Sequence, residues 1–243
     1  MDKKSEYNII VKDTVTSTNS VLKEMAKDGC RKRTVLIANC QTQGRGRLGR
    51  SFYSPPDSGL YISLLLPYNS DSEYPVTLTA AAAVAVSRAI KSAVNIDTKI
   101  KWVNDLYVGD KKVCGILAEA VTNAQTGRLD AVVLGIGINC TTDSFPSDVK
   151  NAAALSENGG TFPKRRLAMN IIDEVERISD GADFIDEYRS KSMVLHKRIK
   201  ILNTDKEAYV KDIDNSGGLV VEYDNGESEV LNTGEISIRL TKI

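Results

Sequence analysis

No charge of either sign prevails in this sequence. It has 32 lysines and arginines against 32 aspartates and glutamates, and the lone His196 is taken as neutral at pH 7. That balance excludes a globally basic nucleic-acid binder, while a local cationic patch stays compatible with it. Cysteine is scarce, four in 243 residues, and Cys30, Cys40, Cys114 and Cys140 form no Cys-x-x-Cys pair. A disulfide scaffold is thereby excluded, no zinc or redox signature is present, and a reduced, cytoplasmic protein is expected. Long apolar runs are also lacking: the one around Ala80–Val86 falls short of a membrane span. Met1–Glu6 has mixed charge where a signal peptide needs an apolar core. Internal repeats and low-complexity tracts are absent. What remains is 42% hydrophobic and 26% charged, a globular composition. The length predicts one large domain, or a large one with a small one.

Helix and strand signals are ordered along the chain. Thr16-Ser-Thr-Asn19 supplies N-cap residues before Val21, Leu22, Met25 and Ala26, which share one helical face, and Gly29 stops the helix. Thr34–Ala38 reads as a short strand. Pro75 opens an alanine-rich helix through Val94, with Leu78, Ala82, Val86 and Ile90 about a turn apart. Ile100 and Trp102 alternate with Lys99 and Lys101 as a strand, and Gly109-Asp110 turns between Leu106–Val108 and Lys112–Glu119. Ala131–Ile138 is apolar on both faces and predicts a central strand. Lys164–Ser179 puts Leu167, Ile171, Val175 and Ile178 on one face, and a second helix is expected over Ala182–Lys191. From His196 onward short strands alternate with turns at Asn215–Gly218 and Asn225-Gly226, which suggests a small β-barrel packed on the main domain. The expected fold is α+β, a mixed-sheet domain over residues 1–195 and an all-β appendix over 196–243.

The densest chemistry lies in Gln41-Thr-Gln-Gly44-Arg45-Gly46-Arg47-Leu48-Gly49-Arg50. Glycine lets backbone approach a ligand closely, and arginine offers a planar fork of donors for carboxylate and phosphate. Residues 31–50 carry Arg31, Lys32, Arg33, Arg45, Arg47 and Arg50 with no acid, a local excess that needs a counter-charge. An anion-binding loop is favoured over a solvated Arg-Gly RNA-binding tract, because the tract is short, sits between strands and has only Phe52 and Tyr53 as neighbouring aromatics.

Two further stretches are ambiguous taken singly. Lys101-Trp-Val-Asn-Asp-Leu106 puts an amide and a carboxylate at a strand tip, to which a hairpin returns Lys112. An Asp–Lys pair can be a surface ion pair worth little, and Asn-Asp can merely start a turn. Gly135-Ile-Gly-Ile-Asn139 lacks the third glycine and following helix of a dinucleotide fingerprint. Its glycines are better suited to laying a flat ligand against a buried strand.

In order, these pieces resemble the motifs of the biotin protein ligases: Thr16–Asn19, Gln41…Arg50, Lys101–Leu106, Lys112-Val-Cys-Gly-Ile-Leu117 and Gly135–Asn139. Gly234-Glu-Ile-Ser-Ile-Arg239 resembles the signature of that family's SH3-like C-terminal domain, so the resemblance covers nearly the whole chain. Val103 stands where the family usually has proline, and Phe52 where tryptophan is common.

The resemblance implies a biotin–[biotin carboxyl-carrier protein] ligase of the short form, without an N-terminal DNA-binding domain. Biotin and ATP would give biotinyl-5′-AMP and pyrophosphate, and the biotinyl group would pass to a lysine of a biotin carboxyl carrier domain. It assigns catalysis to Arg47, Lys112 and Asp105. Biotin contacts fall to Ser17, Thr18, Asn19, Gln41, Gly44, Arg45, Gly46, Arg47, Lys112, Gly115, Gly135 and Gly137. Nucleotide contacts fall to Arg47, Arg50, Phe52, Asn104, Asp105, Lys112 and Asn139, with Phe52 as an adenine-stacking face and Mg²⁺ held mainly through the ATP phosphates. Residues about 43–53 are expected to be disordered or displaced without ligand and to order over it. Neither DNA nor membrane is an expected partner, and monomer and homodimer both stay open. The rivals are a lipoate or octanoate ligase, a biotinyl-AMP-sensing regulator and an Arg-Gly RNA-binding module.

Overall fold

The computed structural model describes residues 7–68, 76–123, 125–156, 161–179, 181–202, 204–232 and 238–240. Pro75, Met1–Glu6 and the Gly234–Ser237 part of the C-terminal signature lie outside the described residues.

The Thr16–Asn19 run acts as the cap its residues allow. Ser17 has extended backbone and its Oγ accepts the Ser20 N–H at 3.5 Å, starting α1 (Thr18–Lys27). This helix joins β1 (Asn8–Val15) to β2 (Thr34–Gln41), and the two strands pair in parallel. Every other pairing in the larger sheet is antiparallel: β3 (Gly59–Pro67), β4 (Lys99–Lys101), β5 (Asp105–Val108), β6 (Lys111–Thr122) and β7 (Leu129–Asn139) complete the order β1-β2-β3-β7-β6-β5-β4. The expected central strand is the fourth of seven.

The sheet has two differently furnished faces. One carries Val35, Leu60, Ile62, Leu64, Leu134, Ile136 and Ile138 and packs on α2 (Val76–Val94), which α3 (Lys164–Ser179) and α4 (Ile185–Lys191) back. Thr77–Val94 is long and apolar enough to cross a membrane, but Ala80–Val86 are all buried and serve as core. The other face carries Leu36, Leu65, Val121, Ala131 and Val133 under Leu22 and Ala26 of α1. Side chains on a strand alternate faces, so the α1-facing series of β7 continues through Gly135, Gly137 and Asn139. Side-chain bulk vanishes there, and a cavity opens.

The second sheet is antiparallel: β8 (Arg198–Ile201), β9 (Glu207–Ile213), β10 (Leu219–Glu222), β11 (Ser228–Leu231) and β12 (Ile238–Leu240), in the order β11-β10-β9-β8-β12. Ile199, Val210, Ile213, Leu219 and Val221 belong to the same apolar core as α2 and α3, so the small sheet shares the main core.

Three expectations shift. Trp102 follows β4 instead of ending it, because residues 102–104 form the turn and Asp105 opens β5, paired back to Lys101. The last helix begins at Ile185 rather than Ala182: the Gly181 and Ala182 N–H groups close the end of α3, and Asp183 accepts the Ile185 N–H at 3.1 Å. The local cationic excess is not one site. Arg31 is bound to Asp130 at 2.8 Å and Arg33 approaches Glu176 at 4.0 Å, at the far end of β2 from the glycine-rich loop.

Candidate active site

The cavity on the α1 face has a volume of about 840 Å³. Two rows of paired residues run beneath it, and Gly135, Leu117, Gly137, Gly115 and Asp105 of these rows line it. One runs Leu36, Ser63, Gly135, Leu117 across β2, β3, β7 and β6, and the next runs Ala38, Tyr61, Gly137, Gly115, Asp105 into β5. From Gly135 to Asn139 the floor extends about 13 Å at the usual strand rise.

At the Gly135 end lies a buried polar network. Gln41 Oε1 accepts the Thr18 N–H at 2.9 Å and the Thr18 hydroxyl at 3.1 Å, while Gln41 Nε2 donates to Ser54 Oγ at 2.9 Å. The Ser63 hydroxyl lies 2.6 Å from both Thr18 Oγ1 and Asn19 Oδ1, and its single proton serves one of them at a time. Asn19 Nδ2 donates to Leu117 O at 3.2 Å and to Glu119 Oε2 at 2.9 Å. Ser17, Thr18 and Asn19 are all buried, so capping and lining the cavity coincide in one helix start.

The glycine-rich loop covers the middle. The Gln43 N–H donates to Thr16 O at 2.8 Å, Gly46 N–H to Arg50 O at 2.7 Å and Phe52 N–H to Gly44 O at 2.9 Å. Leu48 and Gly49 take positive φ, 56° and 72°, to make the tight turn. Phe52 lies over Gly137 and Gly115 and meets Tyr61 edge-on, with centroids 6.5 Å apart. This corrects the simple picture of glycines cleared for a ligand alone. A side chain at Gly135 would overlap Asn19, and one at Gly137 would overlap the Phe52 ring. Gly44 does not line the cavity; a Cβ there would collide with Phe52 O and Ser54 Oγ, so it shapes the loop from behind.

Toward Asn139 the surroundings are charged. Lys112 Nζ is 2.7 Å from Asp105 Oδ1, and Arg47 Nη1 donates to Asn104 Oδ1 at 3.1 Å. Burial pulls the Arg47 guanidinium below its ordinary value and Asp105 opposes that; an arginine so placed stays cationic at neutral pH. Asn104 is fixed in turn: Nδ2 donates to Ile116 O at 2.8 Å and its own carbonyl accepts the Ile116 N–H at 2.9 Å. Asn139 Nδ2 donates to Ala153 O at 3.2 Å, and Lys112 pairs with residues 151–153, of which Ala152 lines the cavity with Phe145, Asp148 and Lys150. Six basic side chains (Arg45, Arg47, Arg50, Lys101, Lys112 and Lys150) border the cavity against two acidic ones, Asp105 and Asp148. Such a lining attracts an anion.

Of the seventeen residues expected at a site, all but Gly44 border this one cavity. Sequence reasoning missed Ser54, Ser63, Glu119 and Trp102. Ser63 within a strand and Ser54 in the loop before it carry no pattern signal. Trp102 lines the cavity and donates Nε1–H to Gly217 O of the small sheet at 2.9 Å, while the buried Tyr188 hydroxyl donates to Val103 O at 3.1 Å. The turn bearing Asn104 and Asp105 is thus clamped from α4 and from the second sheet. Among the described residues no cluster of three His, Cys, Asp or Glu could hold a metal ion.

Residues 11–139 match the Biotin/lipoate A/B protein ligase family, and residues 195–239 match the Biotin protein ligase C terminal domain. The Bifunctional ligase/repressor BirA of Bacillus spizizenii is 37% identical over 156 residues, covering 63% of this chain but 47% of that protein. The matched part thus spans about half the length of that relative. The Biotin--[acetyl-CoA-carboxylase] ligase of Mycobacterium tuberculosis is 30% identical over 238 residues, 90% of this chain and 85% of that one. The biotin protein ligase of Aquifex aeolicus in complex with biotin and ATP superposes with a TM-score of 0.81 at 28% identity, covering 96% of this chain and 99% of that one.

Proposed function

Since the chain belongs to the Biotin/lipoate A/B protein ligase family, we propose that it is an ATP-dependent biotin protein ligase. The observation that carries this reading is a cavity whose Gly135 end is a network of compact hydroxyls and amides and whose Asn139 end is cationic. A ureido ring has two N–H donors and a carbonyl acceptor, and each would cost about 1–3 kcal/mol if buried without a partner. Ser17, Thr18, Asn19 and Gln41 offer the matching groups. A lipoyl chain would have no use for them.

In the first step a biotin carboxylate oxygen bonds to the α-phosphorus of MgATP and pyrophosphate leaves. Two like charges about 4 Å apart repel by roughly 4 kcal/mol at an effective dielectric near 20. Arg47 and Lys112 would stand between carboxylate and phosphate and neutralise both, with Arg50 on the remaining phosphate oxygens. Asp105 holds the Lys112 ammonium in place at 2.7 Å, and Asn104 fixes Arg47. Mg²⁺ would arrive as part of the nucleotide, held by its phosphates. For the acyl tail to lie along Gly137, the Phe52 ring must swing off that residue, where it could meet the adenine. Closure of residues 43–53 would keep water from the mixed anhydride. In the second step the amine of a carrier-domain lysine bonds to the acyl carbon, loses a proton and expels AMP. The reading implies a cytoplasmic enzyme acting on a biotin carboxyl carrier domain.

The test is incubation with MgATP, biotin and a carrier domain, read by mass. A biotinyl adduct on one lysine is expected. An adduct with lipoate in preference to biotin, or none with either, would overturn the reading.

A further inference from the structure

The Arg-Gly loop and the start of α1 are far apart in sequence, yet they meet on one side chain that no motif singles out. Glu119 lies on β6 beyond the end of β5, on the α1 face of the sheet. One carboxylate oxygen, Oε1, is 2.8 Å from Lys23 Nζ of α1 and 3.4 Å from Arg45 Nη2 of the loop. The other, Oε2, accepts the Asn19 Nδ2–H at 2.9 Å. The carboxylate side chain is 13% exposed, whereas the Arg45 side chain is 49% exposed and reaches back to it.

We infer that Glu119 is a positioning residue that latches the glycine-rich loop to the N-terminus of α1, so that the grip at Gly135 and the cations of the loop are set together. The arrangement has the required asymmetry. Asn19 has its amide turned one way by two acceptors for Nδ2 and by the Ser63 hydroxyl at Oδ1. Losing the Glu119 acceptor would remove the shorter of the two bonds from Nδ2 and leave the orientation to Leu117 O and the Ser63 hydroxyl. Losing the charge would release Arg45, two residues before Arg47. Burial pushes the Glu119 carboxyl up, but Lys23, Asn19 and Arg45 together outweigh it and hold the group below the ordinary carboxylate range, so the latch is charged at neutral pH. The kinetic consequence rests on the ligase reading; the latch itself rests only on the contacts.

The test pairs Glu119→Gln with Arg45→Gln in the full chain. Limited trypsin digestion without ligand should cut after Arg47 and Arg50 about 1.5-fold to fivefold faster in either variant, the scale of one partly exposed ion pair. In biotin-dependent pyrophosphate exchange both should raise KM for biotin, Glu119→Gln at least as much as Arg45→Gln, and leave kcat nearly unchanged. The double variant should lose no more than Glu119→Gln alone, because Arg45 acts on the latch through its contact with Glu119. Additive losses, a fall in kcat without a change in KM, or digestion at the wild-type rate would overturn the latch. Should the wild type make no biotinyl-AMP, the ligase reading fails, and digestion alone decides for or against the latch. Arg45→Gln alters a half-exposed position, so it keeps the test valid if Glu119→Gln does not fold.

Discussion

Asn19 occupies the space that a side chain on Gly135 would fill. The absence of a Cβ on the central strand is what lets the first turn of α1 sink far enough for its amide to reach Leu117 O, Glu119 and Ser63 together. Glycine here is a matter of close approach rather than of backbone conformation.

Gly135→Ala should therefore push Asn19 outward, with a stability loss of about 1–3 kcal/mol, the usual cost of an added methyl in a packed region. Under the ligase reading it should also raise KM for biotin more than it lowers kcat. Thermal unfolding and pyrophosphate exchange measure the two effects. An unchanged KM would remove Asn19 from the biotin grip.

Arg47→Ala should strip the reacting carboxylate and phosphate of a fixed donor. Loss of one preorganised donor lowers turnover by about 10²–10³. Biotin-dependent pyrophosphate exchange should fall accordingly, and any biotinyl-AMP formed should escape into solution. Rates and retention equal to the wild type would rule out the assigned role.

Trp102→Phe keeps the ring in the core but deletes the donor to Gly217 O. A buried carbonyl left without its partner costs about 1–3 kcal/mol. Because the same turn carries Asn104 and Asp105, the variant should raise KM for ATP while sparing KM for biotin. If both constants hold while stability falls, the small sheet stabilises the turn without setting the nucleotide end.

The cysteines divide by burial. Cys30 and Cys40 are partly exposed, whereas Cys114 and Cys140 are buried. Burial pushes the Cys140 thiol up to about 12 and raises the Cys114 thiol as well. Thiolate, the reactive form, is then negligible at pH 8 for both. Iodoacetamide should label Cys30 and Cys40 in the native protein and all four only after denaturation, as read by peptide mass. Native labelling of Cys114 would contradict the packing of β6.

Local pattern was enough for much of the fold. Lys164–Ser179 forms α3 over the span its 3.6-residue periodicity gives, Ser17 caps α1, and the two-faced apolar run near Ala131–Ile138 is the central strand. For the candidate site only the Arg-Gly loop stands out by local composition; the other three segments are ambiguous singly and join it through their resemblance to one family's ordered motifs. Such signals depend on neighbours in the chain, so they survive in a linear text.

The rest was decided by register. Ser63 enters the polar network because it pairs with Gly135 on the neighbouring strand, and Glu119 because β6 places it two residues beyond Leu117 on the same face. The Asn19–Glu119 and Trp102–Gly217 hydrogen bonds join residues 100 and 115 positions apart. No spacing rule reaches that far, since these pairings follow from how whole strands align to bury their apolar faces. The electrical balance met first in the sequence behaves likewise. Composition gives its zero sum, but only the folded chain assigns Arg31 to Asp130 and Arg45 to Glu119 while bringing Arg47, Arg50 and Lys112 to one cavity.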